Sequence, residues 1–171
     1  INLGYGNGCI VEGAGFFLNN EMDDFSSKPG VPNVFGLIGN EANAVEPEKR
    51  PLSSMTPTII LKNNKPYLVI GSPGGSTIIT TTMQVILNVI DHDMDIKEAV
   101  CSERFHSQWL PDVIQFERNS LTKDVRTSLE LKGHKLIPRG GYIGEANGII
   151  IKEDGFYGGG DCRGETTASS Y

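Results

Sequence analysis

The sequence has 171 residues and a mass of 18.6 kDa, which is the size of about one domain. Its 38% apolar content is enough for a hydrophobic core and excludes a collagen-like, coiled-coil or wholly disordered chain. The 15 Lys and Arg residues against 21 Asp and Glu give a net charge of −6, which excludes the basic surface of a nucleic-acid-binding protein. No apolar run approaches the roughly 18 residues of a membrane-spanning helix, so membrane insertion is not expected.

The first 52 residues predict few regular elements. The chain begins at Ile1 rather than Met, in a segment that resembles the interior of a strand, so we expect further sequence upstream. Residues 9–11 and 16–18 are β-formers around a glycine-rich turn, which predicts a hairpin or a bulged strand. Residues 19–52 show no period. A loop of this length is usually a functional lid or is disordered, and its apolar residues argue against disorder.

The middle of the chain predicts a hairpin followed by a helix. Residues 58–61 and 67–70 are apolar runs on either side of an Asn-Asn turn, and we expect them to be central strands. The Gly74-Gly75 turn that follows leads into the helix. Four apolar residues at helical spacing predict its buried face: Ile79, Met83, Ile86 and Ile90.

The C-terminal half predicts two more helices and a second hairpin. Residues 95–98 resemble a capping box at the start of a short helix. Residues 122–132 predict a helix that ends at Gly133, and residues 148–157 predict a hairpin. The order strands, loop, strands, helices, strands favours an α+β or layered sandwich fold over a doubly wound parallel sheet.

The cysteines and histidines have no spacing typical of a metal site. Because the three cysteines are far apart and odd in number, we interpret Cys9, Cys101 and Cys162 as buried or half-exposed thiols. No histidine lies in a Ser-His-Asp or Cys-His arrangement, and no glycine-rich segment ends like a phosphate-binding loop. We therefore predict no metal and no cofactor, and a nucleophile, if there is one, outside these residues.

Three clusters lie where packing alone does not require them. Residues 19–24 supply several acceptors after a strand, which favours either an ammonium site or a solvated turn. Ser53 and Ser54 precede a strand, where their hydroxyls either donate to a carboxylate or lie in an ordinary loop. Gly74 and Gly75 either let N–H groups converge at a helix N-terminus, as in an oxyanion hole, or serve a tight turn.

Five segments, in order over nearly the whole chain, resemble the small subunit of bacterial γ-glutamyltranspeptidases. Each is weak alone, but five in register are specific. The segments are LNNEMDDFS (18–26), KPGVPN (28–33), KRPLSSMTPT (49–58), GSPGGS (71–76) and RFHSQWLP (104–111). The resemblance implies an α+β fold, the αββα sandwich of N-terminal-nucleophile hydrolases, with residues 1–171 as a single small-subunit domain in fragment form.

The resemblance also implies the source of the nucleophile. In that family a precursor cleaves itself into a large and a small subunit. The new N-terminal threonine of the small subunit is the nucleophile, and its own α-amine serves as the base. The motif spacing puts Ile1 about twenty residues beyond that threonine, so the nucleophile is expected outside this sequence.

The family's substrate positions carry over residue by residue. Asn2, Glu21 and Asp24 match positions that hold the α-ammonium of the γ-glutamyl group. Ser53 and Ser54 match the hydroxyls that bind its α-carboxylate, together with an arginine of the large subunit.

The family's remaining site positions also have counterparts here. Gly74 and Gly75 match the backbone donors of the oxyanion hole. Residues 29–40 match the lid loop, with Phe35 at the aromatic gate position. The chain departs from the family at Thr77, where an arginine is usual. It departs also at Cys162, where a proline is usual, and over residues 165–171.

The function implied by the resemblance is transfer and hydrolysis of γ-glutamyl groups from glutathione and related compounds through a threonyl acyl-enzyme. Its partner would be the large subunit from the same precursor, and its location the periplasm or the medium. Three alternatives stay open: a γ-polyglutamate depolymerase, a cephalosporin acylase of the same fold, and a non-catalytic partner subunit.

Overall fold

The structure is a computed structural model that describes residues 2–169. Residue 1 and the last two residues of the divergent tail lie outside the described residues. The chain divides into two compact units, residues 1–54 and residues 55–171, and the single small-subunit domain stays a prediction. Among residues 2–169, no helix has the length and apolar character needed to cross a bilayer.

The first unit consists of turns and two short 3-10 helices, Glu21–Asp24 and Glu41–Asn43. The predicted hairpin at its start is present as a single antiparallel bridge between Ile10 and Phe17 rather than as two strands. Two glycines of the intervening segment have φ of 79° and 73°. These left-handed conformations turn the backbone within a few residues, which leaves room for only a short pairing.

The second unit holds the regular strands and helices. In chain order they are β1 (Thr58–Lys62), β2 (Lys65–Gly71), α1 (Ile78–Ile90), α2 (Ile96–Cys101), β3 (Phe105–Gln108), β4 (Val113–Phe116), α3 (Lys123–Leu131), β5 (Leu136–Pro138), β6 (Asn147–Lys152) and β7 (Gly155–Gly159).

Four strands form an antiparallel sheet in the order β1-β2-β6-β7. Asn63 and Asn64 connect β1 to β2 with φ of 54° and 60°, the pair of left-handed conformations that a two-residue hairpin requires. Both predicted hairpins of this unit are confirmed. The expectation that β1 is a central strand is wrong, because β1 lies at the edge of the sheet and has no fully buried residue.

Helix α1 is confirmed, but its predicted buried face is wrong. The core contains Val85 and Val89 of α1, packed with residues of β2 and β6. Of the four residues expected in the core, Ile86 packs against it as a partly buried side chain. The other three are exposed: Ile79 (66%), Met83 (48%) and Ile90 (47%). Because α1 has apolar residues on two faces, its periodicity predicts a helix without identifying which face meets the sheet.

A second sheet, β3-β4-β5, was not predicted. Strands β3 and β4 are antiparallel, whereas β4 and β5 are parallel and are joined by α3. The sequence of β3 is Phe-His-Ser-Gln, which is too short and polar to show a strand pattern. The helix predicted over residues 122–132 is confirmed as α3, and Gly133 follows it with φ of 91°. The two sheets and three helices form an α+β fold, as predicted.

Two of the three cysteines form a disulfide, so the interpretation of all three as thiols is wrong. Cys101, the last residue of α2, is bonded to Cys162, and their Cα atoms are 5.2 Å apart. The bond links positions 61 residues apart. A separation of this size gives no sequence signal, because pairing follows from the folded path of the chain. Cys9 is a free, exposed thiol.

A buried ion cluster includes Asp161 and Arg163, the two residues on either side of Cys162 in the sequence. Arg104 donates to Asp161 (2.7 Å), and Arg163 donates to both Asp161 (3.0 Å) and Glu117 (2.5 Å). Burial alone would raise the pKa of Glu117 and of Asp161, but hydrogen bonds from the arginines and from backbone N–H groups hold both below the ordinary value. The pairs are therefore ionised, and each carboxylate is compensated in the interior.

Candidate functional site

Four of the five predicted substrate-binding residues form one hydrogen-bonded cluster in the first unit. Glu21 and Asp24 are the first and last residues of a 3-10 helix, and side chains three residues apart lie on the same side of such a helix. The amide of Asn2 donates to Asp24 Oδ1 (3.0 Å). Ser54 hydrogen-bonds both carboxyl groups. Ser53 adjoins Ser54 and is exposed.

The two carboxyl groups of this cluster have different pKa values. Burial, and then the hydrogen bond with Glu21, raise the pKa of Asp24, although Ser54 and Asn2 oppose the shift. The hydrogen bond with Asp24 lowers the pKa of Glu21, and Ser54 contributes in the same direction. The opposite shifts mean that Glu21 is the more acidic of the two groups, and the cluster places several carboxyl oxygens together as acceptors.

Asn43 connects the two segments that carry these residues. Its amide donates to the carbonyl of Asp24 (2.7 Å), and its Oδ1 accepts from the N–H of Leu52 (3.0 Å). The backbone carbonyl of Asn43 also accepts from Ser26 (2.9 Å). Sequence reasoning missed this residue, because an asparagine in a loop indicates only a turn.

Residues 29–40, the lid candidate, form a loop whose two ends are hydrogen-bonded to each other. Its ends are joined by a hydrogen bond from the Gly30 N–H to the Gly39 carbonyl (2.9 Å), and Pro32 and Ile38 form a bridge. The side chain of Asn33 accepts from the N–H of Phe35 and of Leu37, both at 3.0 Å. Phe35 is 40% exposed at the turn that this side chain organises.

In the second unit, Gly74 and Gly75 form the turn that precedes α1. Their φ angles are 142° and 57°, conformations that favour glycine. A Cβ on Gly74 would lie 2.5 Å from Thr77 Oγ1, so a side chain there would clash. Within residues 2–169, neither glycine N–H donates to a protein acceptor. Both N–H groups are therefore available to an anion at the start of the helix.

The described residues contain no group of three or more His, Cys, Asp or Glu side chains arranged to hold a metal ion. His106 is buried, and both its ring nitrogens contact side chains of the protein, Thr80 Oγ1 and Gln108 Oε1, at 2.8 Å.

The comparisons with known proteins agree on one family. A family model described as Gamma-glutamyltranspeptidase matches residues 1–171. The glutathione hydrolase proenzyme of Escherichia coli is 49% identical over 164 residues, which is 95% of this chain and 28% of that protein. This chain therefore spans little more than a quarter of the length of that relative.

The solved structures that match include a member of the same family and a more distant acylase. A crystal structure of a mutant Helicobacter pylori gamma-glutamyltranspeptidase is 54% identical, with a TM-score of 0.88, over 95% of this chain and 89% of the matched chain. A cephalosporin acylase from Bacillus halodurans is 27% identical, with a TM-score of 0.77, over 94% of this chain and 28% of the matched chain. The first match confirms the predicted fold class, and the lower identity of the acylase does not favour the alternative activity.

Proposed function

Since the chain belongs to the gamma-glutamyltranspeptidase family, we propose that the protein containing it transfers and hydrolyses γ-glutamyl groups, with glutathione and related compounds as donors. The observation that carries the proposal is the pair of acidic side chains, Glu21 and Asp24, hydrogen-bonded to Asn2 and Ser54. A cluster of this kind suits a free amino-acid head group, which has a positive and a negative end.

The acidic pair binds the α-ammonium of the donor. An ammonium group has three N–H donors, and the Glu21 and Asp24 carboxylates with the Asn2 side-chain oxygen supply enough acceptors for all three. Charge-assisted hydrogen bonds of this type are about twice as strong as neutral ones. Burial of Asp24 strengthens its attraction to a cation, because the local dielectric is lower than that of water.

The two serines bind the α-carboxylate. Ser53 is exposed, and Ser54 lies beside the acidic pair. Hydroxyls alone do not neutralise a carboxylate, so we assign the balancing charge to an arginine of the partner subunit, as the family resemblance implies. With both charged ends held, the γ-carbonyl is presented to the nucleophile in a fixed orientation.

The Gly74-Gly75 turn stabilises the oxyanion. When threonine attacks the γ-carbonyl, the carbonyl oxygen becomes negative, and the two N–H groups at the start of α1 donate to it. The C–N bond then breaks, and the amine, cysteinylglycine in the case of glutathione, leaves with a proton returned by the base. Water or an amino acid finally accepts the acyl group from the threonine.

The closed loop over residues 29–40 acts as a lid. Phe35 shields the acyl-enzyme from water, which favours transfer to an amine over hydrolysis.

The large subunit of the same precursor packs on the sheet face opposite α1 and α2. Ile59, Val69 and Ile149 are directly paired across three adjacent strands, and all three are exposed in this chain. A row of this kind is normally covered in a folded protein. The chain covers 28% of the Escherichia coli relative, and a protein of that length would have enough further sequence to cover the face.

We assign the protein to the periplasm or the medium. The Cys101–Cys162 disulfide supports this location, because structural disulfides form and persist in oxidising compartments.

Kinetics with γ-glutamyl-p-nitroanilide test the proposal. In the complete two-subunit protein, Asp24→Ala should lower kcat/KM by about 10- to 150-fold, which corresponds to roughly 1.5–3 kcal/mol for a hydrogen-bonded charge. Asp23→Ala is the matched control, because Asp23 lies in the same 3-10 helix and is exposed. Undiminished turnover by Asp24→Ala, or an equal loss in both variants, would reject the pocket.

A further inference from the structure

The carbonyl of Gly74 is held by the residue three positions further along the chain. Thr77 donates to it twice, from Oγ1 (2.8 Å) and from its backbone N–H (3.1 Å). The peptide group between Gly74 and Gly75 is planar, so its C=O and N–H point in opposite directions if it is trans, as peptides outside X-Pro nearly always are. Drawing the carbonyl toward Thr77 therefore directs the N–H of Gly75 away from Thr77.

The preceding peptide group is held in the same way. Ser72 Oγ donates to the carbonyl of Pro73 (2.6 Å), which fixes the plane that contains the N–H of Gly74. The N–H of Glu145 donates to the same hydroxyl oxygen (3.0 Å), so Ser72 is itself anchored. The Glu145 backbone can come this close to Ser72 only because position 144 is a glycine, since a Cβ there would lie 2.8 Å from Ser72 Oγ.

Thr77 is also anchored from the interior. Thr80 Oγ1 donates to the carbonyl of Thr77 (3.1 Å) and lies 2.8 Å from Nδ1 of the buried His106. The other ring nitrogen of His106 contacts Gln108, whose amide donates to the carbonyl of Leu110. Polar contacts thus link β3, through His106 and Thr80, to the carbonyl of Thr77 at the turn before α1.

We propose that Ser72 and Thr77 are positioning residues for the oxyanion hole, each orienting one of its two N–H donors through the carbonyl of the same peptide group. The inference rests on the proposed function, because it assumes that the N–H groups of Gly74 and Gly75 receive the oxyanion. Neither hydroxyl touches the substrate. Both act by fixing donors before the reaction, so that no reorganisation is needed in the transition state.

Replacement of Thr77 by valine gives the sharpest test. Valine is close to threonine in size, but at this 97% buried position it removes the donor to Gly74 and puts a methyl group in place of the hydroxyl. Loss of an entire oxyanion donor costs about 10²–10³ in kcat, and the Thr77 N–H still holds the carbonyl in the variant, so we expect kcat to fall about tenfold. KM for γ-glutamyl-p-nitroanilide should change less than about twofold, since the oxyanion forms after substrate binding.

Matched variants separate positioning from a general loss of structure. Thr77→Ser keeps the hydroxyl and should retain kcat within about twofold of the wild type. Thr127→Val removes the same kind of side-chain hydrogen bond, to the carbonyl of Lys123 on α3, and should leave kcat unchanged. Ser72→Ala should lower kcat with KM unchanged, as Thr77→Val does, and Ser72→Thr should restore it.

The outcomes distinguish this inference from the proposed function. An inactive wild-type two-subunit protein would overturn both. An active wild type in which Thr77→Val and Ser72→Ala keep full kcat, or raise KM without lowering kcat, would overturn the positioning role alone. If Thr77→Val unfolds, as judged by its melting temperature, the comparison of Ser72→Ala with Ser72→Thr decides in its place.

Discussion

The disulfide between Cys101 and Cys162 should contribute a large part of the stability of the second unit. Replacing both cysteines with alanine opens a loop of 61 residues in the unfolded chain. The chain-entropy relation gives a loss of about 4 kcal/mol for a loop of this length, and measured values for native disulfides are roughly 2–5 kcal/mol. Asp161 and Arg163 flank Cys162 in the buried ion cluster, so the loss should not be offset by relaxation at that position.

Thermal unfolding of the complete protein measures this effect. A chain of 150–250 residues loses about 2–4 °C of Tm per kcal/mol, and this loss falls in proportion as the unfolding protein becomes larger. In a complete protein as long as the Escherichia coli relative, of which this chain spans 28%, the Cys101→Ala/Cys162→Ala variant should therefore melt about 2–4 °C below the wild type. Reduced wild-type protein should melt near the double variant, because both lack the same bond. Cys9→Ala is the control, since Cys9 is a free and exposed thiol.

Two results would refute the reasoning on the disulfide. A double variant that melts within about 1 °C of the wild type would show that the bond does not restrict the unfolded chain. An equal decrease in Cys9→Ala would show that the effect comes from cysteine replacement in general.

Three further predictions concern the polar groups. Asn43→Ala should raise KM for the γ-glutamyl donor by about tenfold and lower kcat less than twofold in steady-state kinetics. The reason is that the variant loses the hydrogen bonds by which Asn43 joins the Asp24 segment to the Leu52 segment. The raised pKa of Asp24 means that its charge is lost at a higher pH than usual, so KM should rise on mild acidification, and Glu21→Gln should shift that rise to lower pH. The lowered pKa of Glu117 means that its stabilisation is complete above the ordinary glutamate pKa and is lost as the pH falls through the folded value. Melting curves from pH 7 to pH 3 should therefore show a smaller acid-induced loss of Tm in Glu117→Gln than in the wild type.

Local rules predicted the elements whose cause lies within a few residues. Asp95 accepts from the N–H of Glu98 (2.7 Å) at the start of α2, as its capping spacing predicts. The hairpin turn at Asn63 and Asn64 and the glycine after α3 follow from the same kind of local chemistry. These features depend on backbone conformations that particular residue types favour, so a single sequence contains them.

Features set by distant parts of the chain were not predictable in this way. The exposed side of α1 is apolar, so a pattern of Ile79, Met83 and Ile90 cannot distinguish the core face from a face for a partner. The pairing of Cys101 with Cys162 depends on where β7 returns to α2, and β3 has no apolar pattern of its own.

The candidate site shows the same division. Glu21 and Asp24 come together because they are three residues apart in a 3-10 helix, which is a local property. Their approach to Ser54, by contrast, depends on the path of the loop that Asn43 holds, and motif resemblance rather than pattern pointed to that serine. Ser72 lies in one of the five family segments and Thr77 departs from the family's usual arginine, but neither gave a signal of a positioning role, since that role depends on the carbonyls to which they donate.

The most direct measurement compares two donors that differ only in the α-ammonium group. The complete protein should cleave γ-glutamyl-p-nitroanilide at least about 100-fold more efficiently, in kcat/KM, than glutaryl-p-nitroanilide, which lacks the amine. In Asp24→Asn that preference should fall to about tenfold, because one of the two acidic acceptors for the amine is removed while the carboxylate end of the donor is unchanged. A wild type that does not distinguish the two donors, or an Asp24→Asn variant that keeps the full preference, would contradict the assignment of this cluster as the binding site of the glutamyl head group.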